Sequence, residues 1–62
     1  MRKEIIFKKL KNGDYSVWFR GRKVGHIRKM RDYWRAEDAG GEWIISEDKL
    51  LSTAKARYKL TV

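Results

Sequence analysis

The chain contains no cysteine and no proline, and its one histidine is His26. Without cysteine, neither a disulfide nor a thiolate metal site is available to stabilise the fold. A lone histidine without spaced partner ligands does not form a metal site either. We therefore expect no metal or other cofactor, and a fold that is held together by packing alone.

Long hydrophobic runs are also missing. The apolar run at residues 5–7 is followed at once by Lys8 and Lys9. It is too short for the apolar region of a signal peptide or for a membrane span. We expect a single small basic domain over residues 1–62, in the cytoplasm and with no membrane partner.

Acidic side chains are scarce in the first half of the chain. Six of the eight acids lie at Asp32 or later, whereas the segment from Arg20 to Arg31 contains six basic residues and no acid. The formal net charge is +8 and the pI is about 10.1. Clustered charge of one sign favours a polyanionic partner over charge that only maintains solubility.

Glycines divide the first two thirds of the chain into extended segments. Asn12-Gly13 between two apolar runs predicts a hairpin with a type I′ turn, and Gly21 with the two residues after it predicts a second turn. We predict strands over residues 4–10, 15–20, 24–30 and 33–37, of which one is either a strand or a loop. Ala39-Gly40-Gly41 ends this part of the chain.

The C-terminal part predicts a helix over residues 47–60. Ser46 is a favourable N-cap, and Glu47 and Asp48 would lie in the first turn, where the helix dipole favours negative charge. One of the isoleucines before Ser46 would pack against that turn. An apolar stripe at 3–4 spacing follows, formed by Leu50, Leu51, Ala54 and Tyr58.

A sheet with one apolar face and an amphipathic helix bury their apolar surfaces against each other. We therefore expect an α+β fold, with a three- or four-stranded antiparallel sheet packed against one C-terminal helix. Period-2 alternation, without a bulge, determines the two faces. The helix side would carry Tyr15, Val17, Phe19, Ile27, Trp34 and Ala36. The open face would carry Ser16, Trp18, Arg20, Val24, His26, Arg28, Tyr33 and Arg35.

Cations and aromatic rings together on an open face suit nucleic acid. Guanidinium groups bind phosphates and guanine edges, rings stack on bases, and a narrow sheet can enter the major groove. We expect a nucleic-acid interface, with DNA favoured over RNA. Its candidate residues are Trp18, Arg20, Arg22, Lys23, His26, Arg28, Lys29, Arg31, Tyr33 and Arg35.

Other interpretations of the same residues stay open at this point. Trp18 would equally be half-buried, with cationic stems lying across it. The basic face would also fit an acidic protein surface, with Trp18 as an anchor, in a small interaction module, regulator or inhibitor. A homodimer is a further possibility, because a small domain gains from a shared core.

Two groups of basic residues, one at the end of the predicted first strand and one near the end of the predicted helix, make a possible second basic area. Cations near the end of a helix complement its dipole, and lysines on an edge strand discourage aggregation. These ordinary roles account for both groups, which consist of Lys8, Lys9, Lys11, Lys55, Arg57 and Lys59.

No pattern in the sequence indicates an enzyme. The serines have no recognisable triad environment, and Gly40-Gly41 is not followed by a phosphate-binding motif. His26 among cations is typical of a surface group that contacts phosphate. Glu37 and Asp38 are expected in a solvated turn rather than at a metal.

Residues 15–27 (YSVWFRGRKVGHI) and 33–36 (YWRA) combine alternation, glycine turns and a basic face, and a helix follows. This layout is similar to that of two DNA-binding families, the arm-site domains of phage and transposon tyrosine integrases and the plant ethylene-response-type domain. The resemblance is one of architecture and implies a sheet that reads the major groove. It also fits a small accessory protein of a phage or mobile element.

Overall fold

The computed structural model describes the backbone of residues 5–61 and the side chains of residues 5–59. Five strands form one antiparallel sheet in chain order, and a single helix follows them. The elements are β1 (Ile5–Lys9), β2 (Tyr15–Phe19), β3 (Arg22–Lys29), β4 (Trp34–Asp38), β5 (Ile44–Asp48) and α1 (Leu51–Thr61). The α+β class and the C-terminal helix are confirmed. The predicted start of the first strand, residue 4, lies outside the described residues.

The strand count of three or four is wrong, because residues 44–48 form a fifth strand. β5 pairs with β4, with Asp48 opposite Trp34 and Ser46 opposite Ala36. Ser46 does not cap a helix here: its Oγ donates a hydrogen bond to Asp48 Oδ2 at 2.7 Å. The helix therefore begins at Leu51, and pairing with β4 outweighs the local capping signal.

The type I′ turn predicted for the first hairpin is found in the second hairpin, whose turn type the sequence left open. In the first, the Gly13 N–H donates to the Leu10 carbonyl and Gly13 has a φ of 92°, a type I turn followed by a left-handed glycine. In the second, Arg20 (φ 53°) and Gly21 (φ 76°) both have positive φ, as a type I′ turn requires. The second turn is therefore Arg20-Gly21, and β3 begins at Arg22 rather than Val24.

A bulge changes one of the predicted faces. Val17 lies opposite Gly25 and Trp18 opposite Lys23, so Val24 is an extra residue in β3. Val24 therefore packs toward the core, not on the open face as predicted. Of the other residues predicted on the helix side, Val17, Ile27 and Ala36 are fully buried and Tyr15 and Trp34 pack against them. Phe19 is only half-buried.

Tyr58 fixes the position of the helix on the sheet. Its ring is buried, and its hydroxyl lies 2.6 Å from the Glu37 carbonyl and 3.1 Å from the His26 carbonyl, on two neighbouring strands. The ring lies against Gly25, where an added Cβ would overlap it. Burial raises the pKa of Tyr58 to about 12, so the hydroxyl is protonated at neutral pH. Gly25 thus makes the space in which the helix docks.

We expect Gly25→Ala to destabilise the protein by more than about 2 kcal/mol, because the new methyl group overlaps a buried ring. Gly40→Ala is the matched control, since its Cβ would meet nothing closer than Glu42 Cγ at 4.0 Å. That variant should stay within about 0.5 kcal/mol of the wild type. Urea unfolding followed by tryptophan fluorescence measures the free energy of unfolding of each variant. Equal values for the two variants would contradict the close packing of the Tyr58 ring against Gly25.

Candidate nucleic-acid interface

The face of the sheet opposite α1, here called the open face, is uncovered among the described residues. Strand register and alternation place a mixture of aromatic, basic and acidic side chains on it. The open face carries Ile6, Lys8, Ser16, Trp18, Lys23, His26, Arg28, Arg35, Glu37, Ile44 and Glu47.

Trp18 is half-buried at the centre of the β1–β3 part of this face. Its Nε1 donates to Ser16 Oγ at 2.9 Å, and Lys8 Nζ lies 4.8 Å from its ring centroid. Lys23 is its register partner on β3. The tryptophan is therefore neither fully exposed nor core, and a lysine from β1 covers it. The alternative interpretation, in which cationic stems lie over a half-buried Trp18, therefore matches the structure in its burial, with the lysine of β1 as the cation.

The arginines of the open face are paired with carboxylates. Arg28 Nη2 lies 3.3 Å from Glu37 Oε1, and Arg35 Nε lies 3.0 Å from Glu47 Oε2. Arg35 also donates to the Tyr33 hydroxyl at 3.1 Å. Glu37 is buried in β4, so the solvated turn expected for it is wrong. On β3–β5 the open face is consequently a mosaic of both charges.

The buried carboxylate of Asp14 links the first hairpin loop to β3. Asp14 Oδ2 lies 3.0 Å from His26 Nε2, and Asp14 Oδ1 accepts the Lys29 backbone N–H at 2.9 Å. Burial alone would raise the pKa of Asp14, but the contacts with His26 and with the Lys29 N–H outweigh it and the pKa lies below its usual value. His26 is therefore tied to a carboxylate rather than freely presented.

Ser16 is the register partner of His26, which brings a serine, a histidine and an aspartate together. The arrangement does not have the geometry of a nucleophilic triad. Asp14 contacts Nε2, the ring nitrogen that would accept a serine proton, and Ser16 Oγ is engaged by the Trp18 indole. The cluster fixes the β1–β3 hairpins and orients His26.

The other predicted site residues lie elsewhere. Arg20 is in the second hairpin turn, with its guanidinium carbon 5.2 Å from the Phe19 ring centroid. Arg22 and Lys29 are register partners of Phe19 and Trp34, which places both on the helix side. Arg31 is exposed in the β3–β4 loop. The ten predicted residues therefore do not form one surface.

The second basic area does not form as one surface either. Lys8 lies on the open face, whereas Lys55 Nζ lies 4.9 Å from the Tyr15 centroid and 5.2 Å from the Phe7 centroid, on the helix side. Arg57 pairs with Asp48 at 3.1 Å. Lys8, which is not among the ten predicted site residues, lies beside Trp18 on the open face, and the register of the first hairpin places it there.

The charge of the sheet is divided between its two halves. Residues 5–29 contain eight lysines and arginines, and their one acid, Asp14, is buried. Residues 34–48 contain five acids and one arginine. We call the β1–β3 part of the open face, with Lys8, Trp18 and Lys23 and the Arg20 turn, the basic half.

No protein-family model matches the chain, and neither a curated protein nor a solved structure matches it. Within residues 5–61 there is no cluster of three side chains suited to bind a metal ion. None of the helical residues described forms a helix long and apolar enough to cross a membrane.

The lowered pKa of Asp14 predicts an acid-dependent stability. The carboxylate stabilises the fold above its usual pKa of 3.8, and the contribution is lost as the pH falls through the lower folded-state value. At pH 7, Asp14→Asn should therefore cost about 1–3 kcal/mol. The difference from the wild type should close at about pH 2.

Urea unfolding at the two pH values measures this difference. Asp32→Asn is the control, because Asp32 is exposed in the β3–β4 loop. An Asp14→Asn deficit of the same size at both pH values would show that the carboxylate charge does not stabilise the fold.

Proposed function

We propose that this protein binds nucleic acid, DNA in preference to RNA, through the basic half of its open face, and that it is not an enzyme. The proposal rests on the side chains that surround Trp18. A half-buried indole with a lysine over its ring and a second lysine beside it lies on a surface without an exposed carboxylate from residues 5–29.

The mechanism has an electrostatic part and a contact part. Lys8 and Lys23, with Arg20 in the second hairpin turn, neutralise phosphates and release counterions, so affinity falls steeply with salt. Trp18 adds an apolar contact to a sugar, a groove wall or an unpaired base. Its ring is fixed by the bond to Ser16, so little side-chain entropy is lost on binding.

The acidic residues on the β4–β5 part of the open face limit the area that a nucleic acid can contact. Glu37 and Glu47 occupy the open face of β4 and β5, where they neutralise Arg28 and Arg35. A phosphate backbone would meet repulsion there, so the proposed track follows β1 to β3 and the hairpin turn. Arg28 and Arg35 are consequently expected to contribute less than the sequence pattern predicts.

The test is fluorescence anisotropy with labelled duplex DNA, single-stranded DNA and RNA over a range of salt concentrations. The variant is Lys8→Gln with Lys23→Gln, and the control is Lys49→Gln with Lys59→Gln, which removes the same charge outside the basic half. If each basic-half lysine neutralises one phosphate, the slope of log affinity against log salt should fall in magnitude by about 2 in the variant. The control should retain the wild-type slope.

Two results would contradict the proposal. Equal slopes in the variant and the control would remove the basic half as the interface. Weak binding of all three ligands only at the lowest salt would indicate general charge attraction and would favour an acidic protein surface as the partner.

A further inference from the structure

The ring of Trp18 is already covered from the solvent side. Lys8 is exposed, and its Nζ lies 4.8 Å from the centroid of the Trp18 ring. The Trp18 Nε1 donates to Ser16 Oγ at 2.9 Å, so the polar edge of the indole is engaged as well. A base that stacked on this ring would have to displace the Lys8 ammonium group, which is also a group that neutralises a phosphate. Base stacking and charge neutralisation therefore compete at this position.

Arg28 has the chemistry to recognise guanine on the open face, but a buried carboxylate holds it. Its Nη2 lies 3.3 Å from Glu37 Oε1, and the Glu37 side chain is only 8% exposed. If Arg28 turned to a guanine edge, that buried charge would lose its partner. The loss of free energy is of the same order as the gain from a bidentate guanine contact. Recognition of a base by Arg28 is therefore not favoured.

Arg35 and His26 are engaged in a similar way. Arg35 Nε donates to Glu47 Oε2 at 3.0 Å, and its Nη2 donates to the Tyr33 hydroxyl at 3.1 Å. The Glu47 side chain is 46% exposed, so its charge also repels a phosphate that approaches Arg35. His26 Nε2 lies 3.0 Å from Asp14 Oδ2. On the described part of the open face, the arginine and histidine side chains are thus bound to carboxylates of the protein itself.

Two exposed lysines make no ion pair with a carboxylate in the part of the chain that the structure describes. They are Lys8 on β1 and Lys23 on β3, and Trp18 lies on the strand between them. A lysine ammonium group is a point charge and lacks the planar fork of a guanidinium group. It therefore suits a phosphate oxygen and does not by itself select one base pair.

The charge density of the ligand then decides between a duplex and a single strand. Double-stranded DNA carries one negative charge per about 1.7 Å of its axis, about twice the density of one strand. Proteins that bind single strands add stacking of unpaired bases on exposed aromatic rings. Lys8 covers the ring that would supply this stacking, so the remaining attraction is electrostatic and favours the duplex.

We propose that the basic half binds double-stranded DNA through its sugar–phosphate backbone, without preference for base sequence and in preference to a single strand. This inference rests on the proposed function and specifies the substrate of the same site. Lys8 has two roles in it, because it neutralises a phosphate and also prevents bases from stacking on Trp18.

Fluorescence anisotropy with four labelled ligands of equal length tests the inference at physiological ionic strength. The ligands are an alternating A·T duplex, an alternating G·C duplex, a duplex of mixed sequence and one strand of that mixed duplex. The full chain should bind the three duplexes with Kd values within about fivefold of each other, and the single strand more than about fivefold more weakly.

Lys8→Ala tests the role of the lysine over the ring. The variant should bind the duplexes more weakly, because one phosphate contact is lost. Its preference for the duplex over the single strand should fall by about fivefold or more, the lower end of what one stacked base contributes. Lys49→Ala is the matched control, since Lys49 is exposed between β5 and α1 and its loss removes the same charge. It should keep the wild-type preference, and far-UV circular dichroism verifies that both variants are folded.

The possible failures are distinguishable from one another. Duplex affinities that differ by more than about fivefold with sequence would overturn the inference and leave the proposed function in place. So would a single strand bound within about fivefold of the duplex, or an unchanged preference in Lys8→Ala. Absence of binding to all four ligands would refute the proposed function, and the inference with it.

Discussion

The contact between Tyr58 and Gly25 determines which face of the sheet the helix covers. The ring needs the space that a glycine leaves in β3, and its hydroxyl joins the backbones of β3 and β4. With the helix fixed over Val17, Ile27 and Ala36, the opposite face of every strand is left uncovered. The composition of the open face follows from that choice.

Charge segregation along the chain becomes segregation across the sheet, because the strands pair in chain order. The first three strands are basic and the last two are acidic, apart from a few cross-strand ion pairs. Ion pairs at the surface contribute little to stability, but they remove arginines from the set that can meet a phosphate. As a result, the basic half lies on β1 to β3, whereas the exposed apolar residues Trp43, Ile44 and Ile45 lie at the start of the edge strand β5.

Alternation and hairpin signals were sufficient to predict the fold class, the first four strands and most of the core positions. The errors lie where a long-range contact outweighs a local preference. The local sequence predicts Ser46 as a helix N-cap, but its hydroxyl donates to Asp48 within β5. Val24 changes face at a bulge that no local sequence signal indicates. The alternation of side chains along a strand also does not show which residues pair across strands, so it could not predict that Glu37 neutralises Arg28 and that Glu47 neutralises Arg35.

The most direct test of the central claim is a map of ¹⁵N chemical-shift changes when duplex DNA is added to the labelled protein. The basic half predicts the largest changes at the Trp18 indole N–H and at the backbone of Lys8, Lys23 and the Arg20-Gly21 turn. Residues 43–48 should change little. Changes concentrated on α1 or β5, with the Trp18 indole unaffected, would contradict the assignment of the interface to the open face.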